Sequence, residues 1–379
     1  MASKGWYMPL RASAVKAASA CYLANSPPSR VSHAMLDSRH DPGSEGARRR
    51  ADEHVDGRRL AIHGADVRVG TAGWTDKTLT ASGVFYPSQV KTPEDRLRYY
   101  ASRFSLVEAD MGFYAIPDRS LTERWVERTP ADFVFNVKAH ALMTGHATDI
   151  ARLPKLLQDA IPPESVKGSR VYAKDLPLEV RDQVWRLFRD AMEPLHRTGK
   201  LGAILLQFAP WIRPNRSTPQ MLDRARAQLG DLPIAVEFRH PTWLAPRLRE
   251  RLWAQLRDHD MTYVVADTPP GTETSLPIVP AITTPDLAIV RLHGRRSEMW
   301  GAREATVLEK YRYLYDRGEL EDWLSLILEL AEEAERVHVV FNNCYANYGT
   351  TNALEMGDLL AEHGTRAQAA SLPVGIHKG

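Results

Sequence analysis

The sequence predicts a TIM-type (β/α)8 barrel, on three observations. Eight short apolar runs, rich in β-branched and aromatic residues, recur between residues 67 and 341. Helix-length segments with apolar spacing of three and four separate most of them, and almost every run ends in a charged or amide residue. Runs of four to six such residues read as strands buried on both faces. Strand and helix alternating eight times is the pattern of a parallel barrel sheathed in helices.

The elements follow in order. The first run is 67–71, and a helical pattern over 92–104 leads to the second, 106–109. The third, 133–138, precedes an irregular stretch over 139–178 that carries Pro154, Pro162, Pro163, Gly168 and Pro177. At forty residues this insertion is far longer than an ordinary loop and lies on the side where barrels build active sites, so a lid or substrate-shaping role stands beside a plain surface excursion. Helical patterns over 180–196, 217–229 and 246–259 then precede the runs 203–208, 234–238 and 262–266. The last two runs are 288–292 and 337–341, with a helical pattern over 320–336 between them.

The barrel accounts for residues 66–362, close to the roughly 250 residues typical of the fold plus insertions. Residues 1–65 read as a disordered basic arm and 363–379 as a flexible tail. The arm holds ten Lys or Arg against six acids, a net of +4 in a chain whose formal charge is +2, so the remainder is −2. The folded part thus lacks a broad cationic field that would favour nucleic acid. No apolar run reaches the roughly 18 residues that span a bilayer, which excludes a membrane protein. Two cysteines, Cys21 and Cys344, allow no disulfide framework, and a cytoplasmic home is expected.

Side chains two apart on a strand share a face. This groups Glu108 with Asp110, Lys138 with His140, Glu237 with Arg239, and Arg291 with His293. Gln207, Asp267, Asn342 and Asn343 join them from other strand ends. Lys138, Arg239 and Arg291 converging from three strands would hold a phosphate or carboxylate, since Arg offers a planar fork and Lys a point charge. Glu237, His293 and Asp267 are the candidate catalytic groups, because a carboxylate beside cations serves as a base and an imidazole works near neutral pH. Among the aromatics, Trp74 and Tyr114 are candidate walls for a ligand ring. The competing structural use is internal ion pairing, with Glu237 and Arg239 tying the barrel together.

No cofactor is expected. His293, Asp267, Glu237, Glu108 and Asp110 could surround a divalent metal, but none has strong ligand spacing and three nearby cations oppose it. The residues leave three readings. One is a hydrolase or isomerase acting on a small anionic ligand. Another is a nucleic-acid-binding or phosphodiester-processing barrel that uses the basic mouth, the aromatic loops and the arm. The third is a binding protein without chemistry. Oligomeric state is open.

Several motifs together carry a resemblance: GTAGW at 70–74, VEADMGFY at 107–114, FVFNVKA at 133–139, GAILLQFAPW at 202–211, AVEFRHPTW at 235–243, VRLHGR at 290–295 and FNNCYANY at 341–348. In this order they resemble the YecE-like family of unknown function (domain of unknown function 72). The resemblance implies a TIM-type barrel with a pocket at these strand ends, and no reaction. The family's Glu-Phe-Arg-His-Pro motif adds His240 to the candidate ligand contacts. Two departures stand out. Asp110, Met111 and Gly112 occupy positions where the family commonly has Asn-Ser-Thr, and Cys344 stands where it commonly has His.

Overall fold

The computed structural model describes residues 59–300 and 306–366. Eight parallel strands close a barrel: β2 (Ala65–Ala72), β3 (Leu106–Ala109), β4 (Val134–Lys138), β7 (Leu201–Gln207), β8 (Ile234–Glu237), β9 (Met261–Asp267), β10 (Ala288–Leu292) and β11 (Arg336–Phe341). Closure is made by β11 against β2, with Val337 opposite Val67 and Phe341 opposite Thr71. Every run read from the sequence lies on one of these strands, to within two residues at each end.

The helices also match the apolar spacing. The helix Pro93–Arg103 starts on a capping box between Thr92 and Asp95, and Arg317–Glu333 starts on another between Asp316 and Glu319. Helices Leu178–Arg197, Thr218–Leu229 and Pro246–Asp258 cover the barrel's outer face with Phe188, Leu222, Leu256 and their neighbours. None of the described helices is long and apolar enough to cross a membrane.

Three segments differ from expectation. The end of the stretch read as a disordered arm is ordered: β1 (Leu60–Ile62) pairs antiparallel with β2. His63 and Gly64 make the turn with φ of 50° and 90°, the positive-φ geometry favoured by two-residue hairpins. Leu60 and Ile62 are buried there, which anchors a run too short to register as a strand. The start of the expected tail is likewise paired, with β12 (Thr365–Arg366) beside β1. The rest of the arm and tail readings, over residues 1–58 and 367–379, lies outside the described residues. The 139–178 stretch is folded, with a two-stranded sheet of β5 (Ala147–Asp149) and β6 (Arg170–Tyr172) and a short helix at Lys155–Ala160.

The barrel interior is built in layers two residues apart. Leu106, Leu205, Ala235 and Ile289 are completely or almost completely buried and make an apolar layer. Two residues further along the same strands stand Glu108, Gln207, Glu237 and Arg291, and above them the mouth opens. Gly70 permits the tight approach of β2 to β3, since a Cβ there would lie 2.1 Å from the Leu106 carbonyl oxygen.

Candidate active site at the mouth of the barrel

Arg291 is the centre of the charged layer. It is fully buried, and a lone buried guanidinium would be very costly, so its surroundings must supply partners. Nε donates to Glu108 Oε2 at 2.9 Å, and Nη2 donates to Glu108 Oε1 in a bidentate pair. Nη1 donates to Gln207 Oε1 at 3.0 Å and to Glu237 Oε2. The expectation that Arg291 helps grip a ligand therefore meets a guanidinium already engaged with two carboxylates and an amide. It lies beneath the mouth and organises it.

Glu237 is equally engaged. Its other oxygen accepts from Arg239 Nη1 at 2.8 Å and lies 3.3 Å from His293 Nε2. Burial alone would raise its pKa, but Arg291, His293 and Arg239 hold it well below the usual carboxylate range. Glu108 has one cationic fork and the Asp110 charge nearby. Burial lifts it to about 8, against the pull of Arg291. The two carboxyls of this layer are thus driven apart in proton affinity, an arrangement found at sites of acid–base work.

His293 is buried and neutral at pH 7. Burial, then the Arg239 guanidinium, pushes its pKa down to about 3. Its Nδ1 lies 2.8 Å from the Asn342 side-chain nitrogen, and its Nε2 faces Glu237 Oε1 at 3.3 Å. Arg239 Nη1 lies 3.1 Å from the same nitrogen. Above them Trp300 stacks on the Arg239 guanidinium at 5.1 Å, and Tyr311 stands 6.2 Å from the imidazole.

The mouth's other cation is Lys138. Its ammonium lies 4.5 Å from the centre of the Phe113 ring, and among the described residues it makes no hydrogen bond or ion pair. On the neighbouring strand, Glu108 is opposite Asn136, so Asp110 stands level with Lys138. Tyr114 is half-exposed on the rim beside Arg152.

Four sequence candidates are placed elsewhere. Arg291 is register-paired with Ala266 and Leu292 with Asp267, so Asp267 points out of the barrel. Its Oδ2 accepts from Arg295 Nε at 2.9 Å and Tyr315 hydroxyl at 2.8 Å, clamping the loop after β10. Burial raises its pKa against the pull of Arg295. Asn343 also points outward, donating to the Tyr313 carbonyl and to Asn352. His240 caps a short helical turn through Thr242. Trp74 packs edge-on against Trp125 at 5.5 Å, because the positive φ of Gly73 takes it off the strand's inward register.

Sequence reasoning did not single out His146 or Tyr311. His146 comes from the 139–178 insertion and sits edge-on between Phe113 at 4.9 Å and Trp211 at 5.4 Å. Burial, then the nearby Lys138 and Arg239 charges, lowers its pKa to about 4. No spacing in the sequence links residue 146 to the strand ends; only the fold of the insertion does. Among the described residues, no three His, Cys, Asp or Glu side chains converge as a metal site.

Neutral buried histidines make an acid-stability prediction. An unfolded His293 takes up a proton near 6.5, whereas the folded one waits until about 3. The unfolded state then binds more protons, so stability falls as pH drops from 6.5 towards 3, by at most about 1.4 kcal/mol per pH unit for this residue. His140, lowered to about 4 by burial, acts in the same direction. Glu108 acts oppositely, since its raised pKa favours the fold below 4.5 and loses that contribution as pH rises through 8. Urea midpoints between pH 6.5 and 5 should fall less steeply in His293→Gln than in the wild type, with the Glu108 contribution common to both.

A closed parallel barrel with its charged groups gathered at the carboxyl ends of the strands defines a TIM-type barrel protein. Residues 68–375 match the model of the family described as "Protein of unknown function DUF72", and the chain belongs to that family. It is 30% identical over 298 residues to UPF0759 protein YunF of Bacillus subtilis strain 168, covering 78% of this chain and 94% of that one. Two solved structures share the fold. A DUF72 family protein of Thermotoga maritima MSB8 is 29% identical, with a TM-score of 0.61 over 78% of this chain and 99% of the other. Another from Enterococcus faecalis V583 is 25% identical, with a TM-score of 0.63 over 78% and 95%.

Proposed function

We propose that the mouth is the active centre of an enzyme for a small anionic substrate, a phosphate or carboxylate held by Lys138 and Arg239. Proton transfer falls to Glu237 or His293 beneath it, and hydrolysis or isomerisation is the reaction class. The observation that carries this reading is Lys138, a cation at the carboxyl end of a barrel strand with no hydrogen bond or ion pair among the described residues. An ammonium held in a partly enclosed site gains most from a ligand that supplies the missing charge. Arg239 is 8% exposed and donates to Glu237 through Nη1, and the face of its guanidinium is already covered by Trp300.

Calorimetric titration of the full chain with inorganic phosphate and with sugar phosphates tests the reading. Lys138→Met should weaken binding at least about tenfold, equivalent to about 1.4 kcal/mol. Its melting temperature should stay near that of the wild type, because no partner is left unpaired. Equal affinity in the variant would overturn the assignment.

One observation favours a nucleic-acid ligand instead: Trp211 and Tyr114 are 58% and 50% exposed on the rim, as stacking platforms for bases would be. Anisotropy of labelled DNA across a salt series separates the two. Several neutralised phosphates give a steep slope, and a small-anion site gives none.

A further inference from the structure

The anion reading leaves one charge of the mouth unexplained. Asp110 stands level with Lys138, yet its side chain makes no hydrogen bond among the described residues and its Oδ1 is buried without a partner. The closeness of the two strand ends is built in. Gly112 packs so tightly over β4 that a Cβ there would lie 2.8 Å from the Lys138 carbonyl oxygen. Two opposite charges thus stand at adjacent strand ends without pairing with each other.

We propose that the ligand of this mouth carries an amine as well as its acid group, with the acid on Lys138 and the amine on Asp110. This rests on the anion reading and narrows its substrate class. A bare anion seated on Lys138 would stand in the repulsive field of Asp110, and a hydroxyl would satisfy the orphaned oxygen without answering the charge. An ammonium does both. The rim suits it as well. Asp110 lies within electrostatic reach of the Tyr114 hydroxyl, whose pKa burial and then Asp110 raise. Aromatic faces beside a carboxylate attract an ammonium through the ring quadrupole. With Arg291 and Arg239 paired to Glu237, and His293 neutral, Lys138 and Asp110 are the charged groups of the mouth without an ion-pair partner among the described residues.

Matched ligands differing only in the amine provide the test. The full chain is titrated calorimetrically with phosphoethanolamine against ethyl phosphate, and with glucosamine 6-phosphate against glucose 6-phosphate. The amine-bearing member of at least one pair should bind at least about tenfold more tightly. Asp110→Asn should bring the two members together while leaving the amine-free one unchanged or tighter, and Lys138→Met should weaken both. Asp110→Ser repeats the comparison if Asn forms a new hydrogen bond. Equal affinities within each pair on the wild type, or a preference that survives both Asp110 variants, would overturn the amine assignment and leave the anion site standing. Binding of no member of either pair would overturn both.

Discussion

Arg291→Met is expected to destabilise the barrel by about 3–5 kcal/mol, the range measured when one partner of a buried ion pair is removed. Methionine fills much of the volume but leaves Glu108 and Glu237 facing each other inside the barrel. Glu237 keeps Arg239, whereas Glu108 loses the fork that satisfied both its oxygens. Glu108 then stays protonated over a wider pH range, so the loss should be largest in alkaline solution. Urea denaturation at pH 6 and pH 9 checks both magnitude and trend. Adding Glu108→Gln to Arg291→Met should recover part of the stability, since a neutral amide is cheaper to bury than an unpaired carboxylate. A single variant as stable as the wild type would mean that the pairing seen here is not what holds the layer together.

Glu237→Gln is expected to cost about 3 kcal/mol, again on the scale of a broken buried pair. The amide is nearly the same size as the carboxylate, so packing is not the cause. Glu237 accepts on both oxygens, from Arg291 on one and from Arg239 on the other, with His293 Nε2 3.3 Å from the latter. Whichever way the amide turns, its N–H2 meets an arginine N–H, a donor against a donor. The sequence offered two uses for this position, a candidate catalytic base or one half of an internal ion pair. The geometry makes the second unavoidable whether or not Glu237 also handles a proton. Calorimetric melting of the variant beside Lys138→Met separates the two residues: the first should melt well below the wild type and the second close to it.

The strand and helix pattern was legible because burial on both faces demands continuous apolar runs, and the outer helices demand a periodic apolar stripe. The hairpin at Leu60–Ile62 was not, because three residues carry no periodicity. Its Ile62-His63-Gly64-Ala65 turn was the available signal. The candidate site was legible to the extent that strand alternation could be extended past each strand end. Glu108, Gln207, Glu237 and Arg291 fall on one inward layer, with Asp110, Lys138, Arg239, His293 and Asn342 above. Asp267, His240 and Asn343 sit one residue out of that register, and strict alternation would have turned them away. Trp74 could not be placed by alternation, since Gly73 changes the direction of the chain.

By itself the sequence determined a family, an eight-fold alternation and the inward parity of the charged strand ends, because each follows from local periodicity and residue identity. Which charge answers which was decided only by the tertiary structure. Arg291 reaches across the barrel to Glu108 and Glu237, residues 183 and 54 positions away, and so is withdrawn from the mouth. Lys138, Arg239 and Arg291 look alike as cations at strand ends, and they differ only in what the closed barrel packs around them. Pairing of buried charges depends on distances across the barrel, which no spacing along the chain encodes.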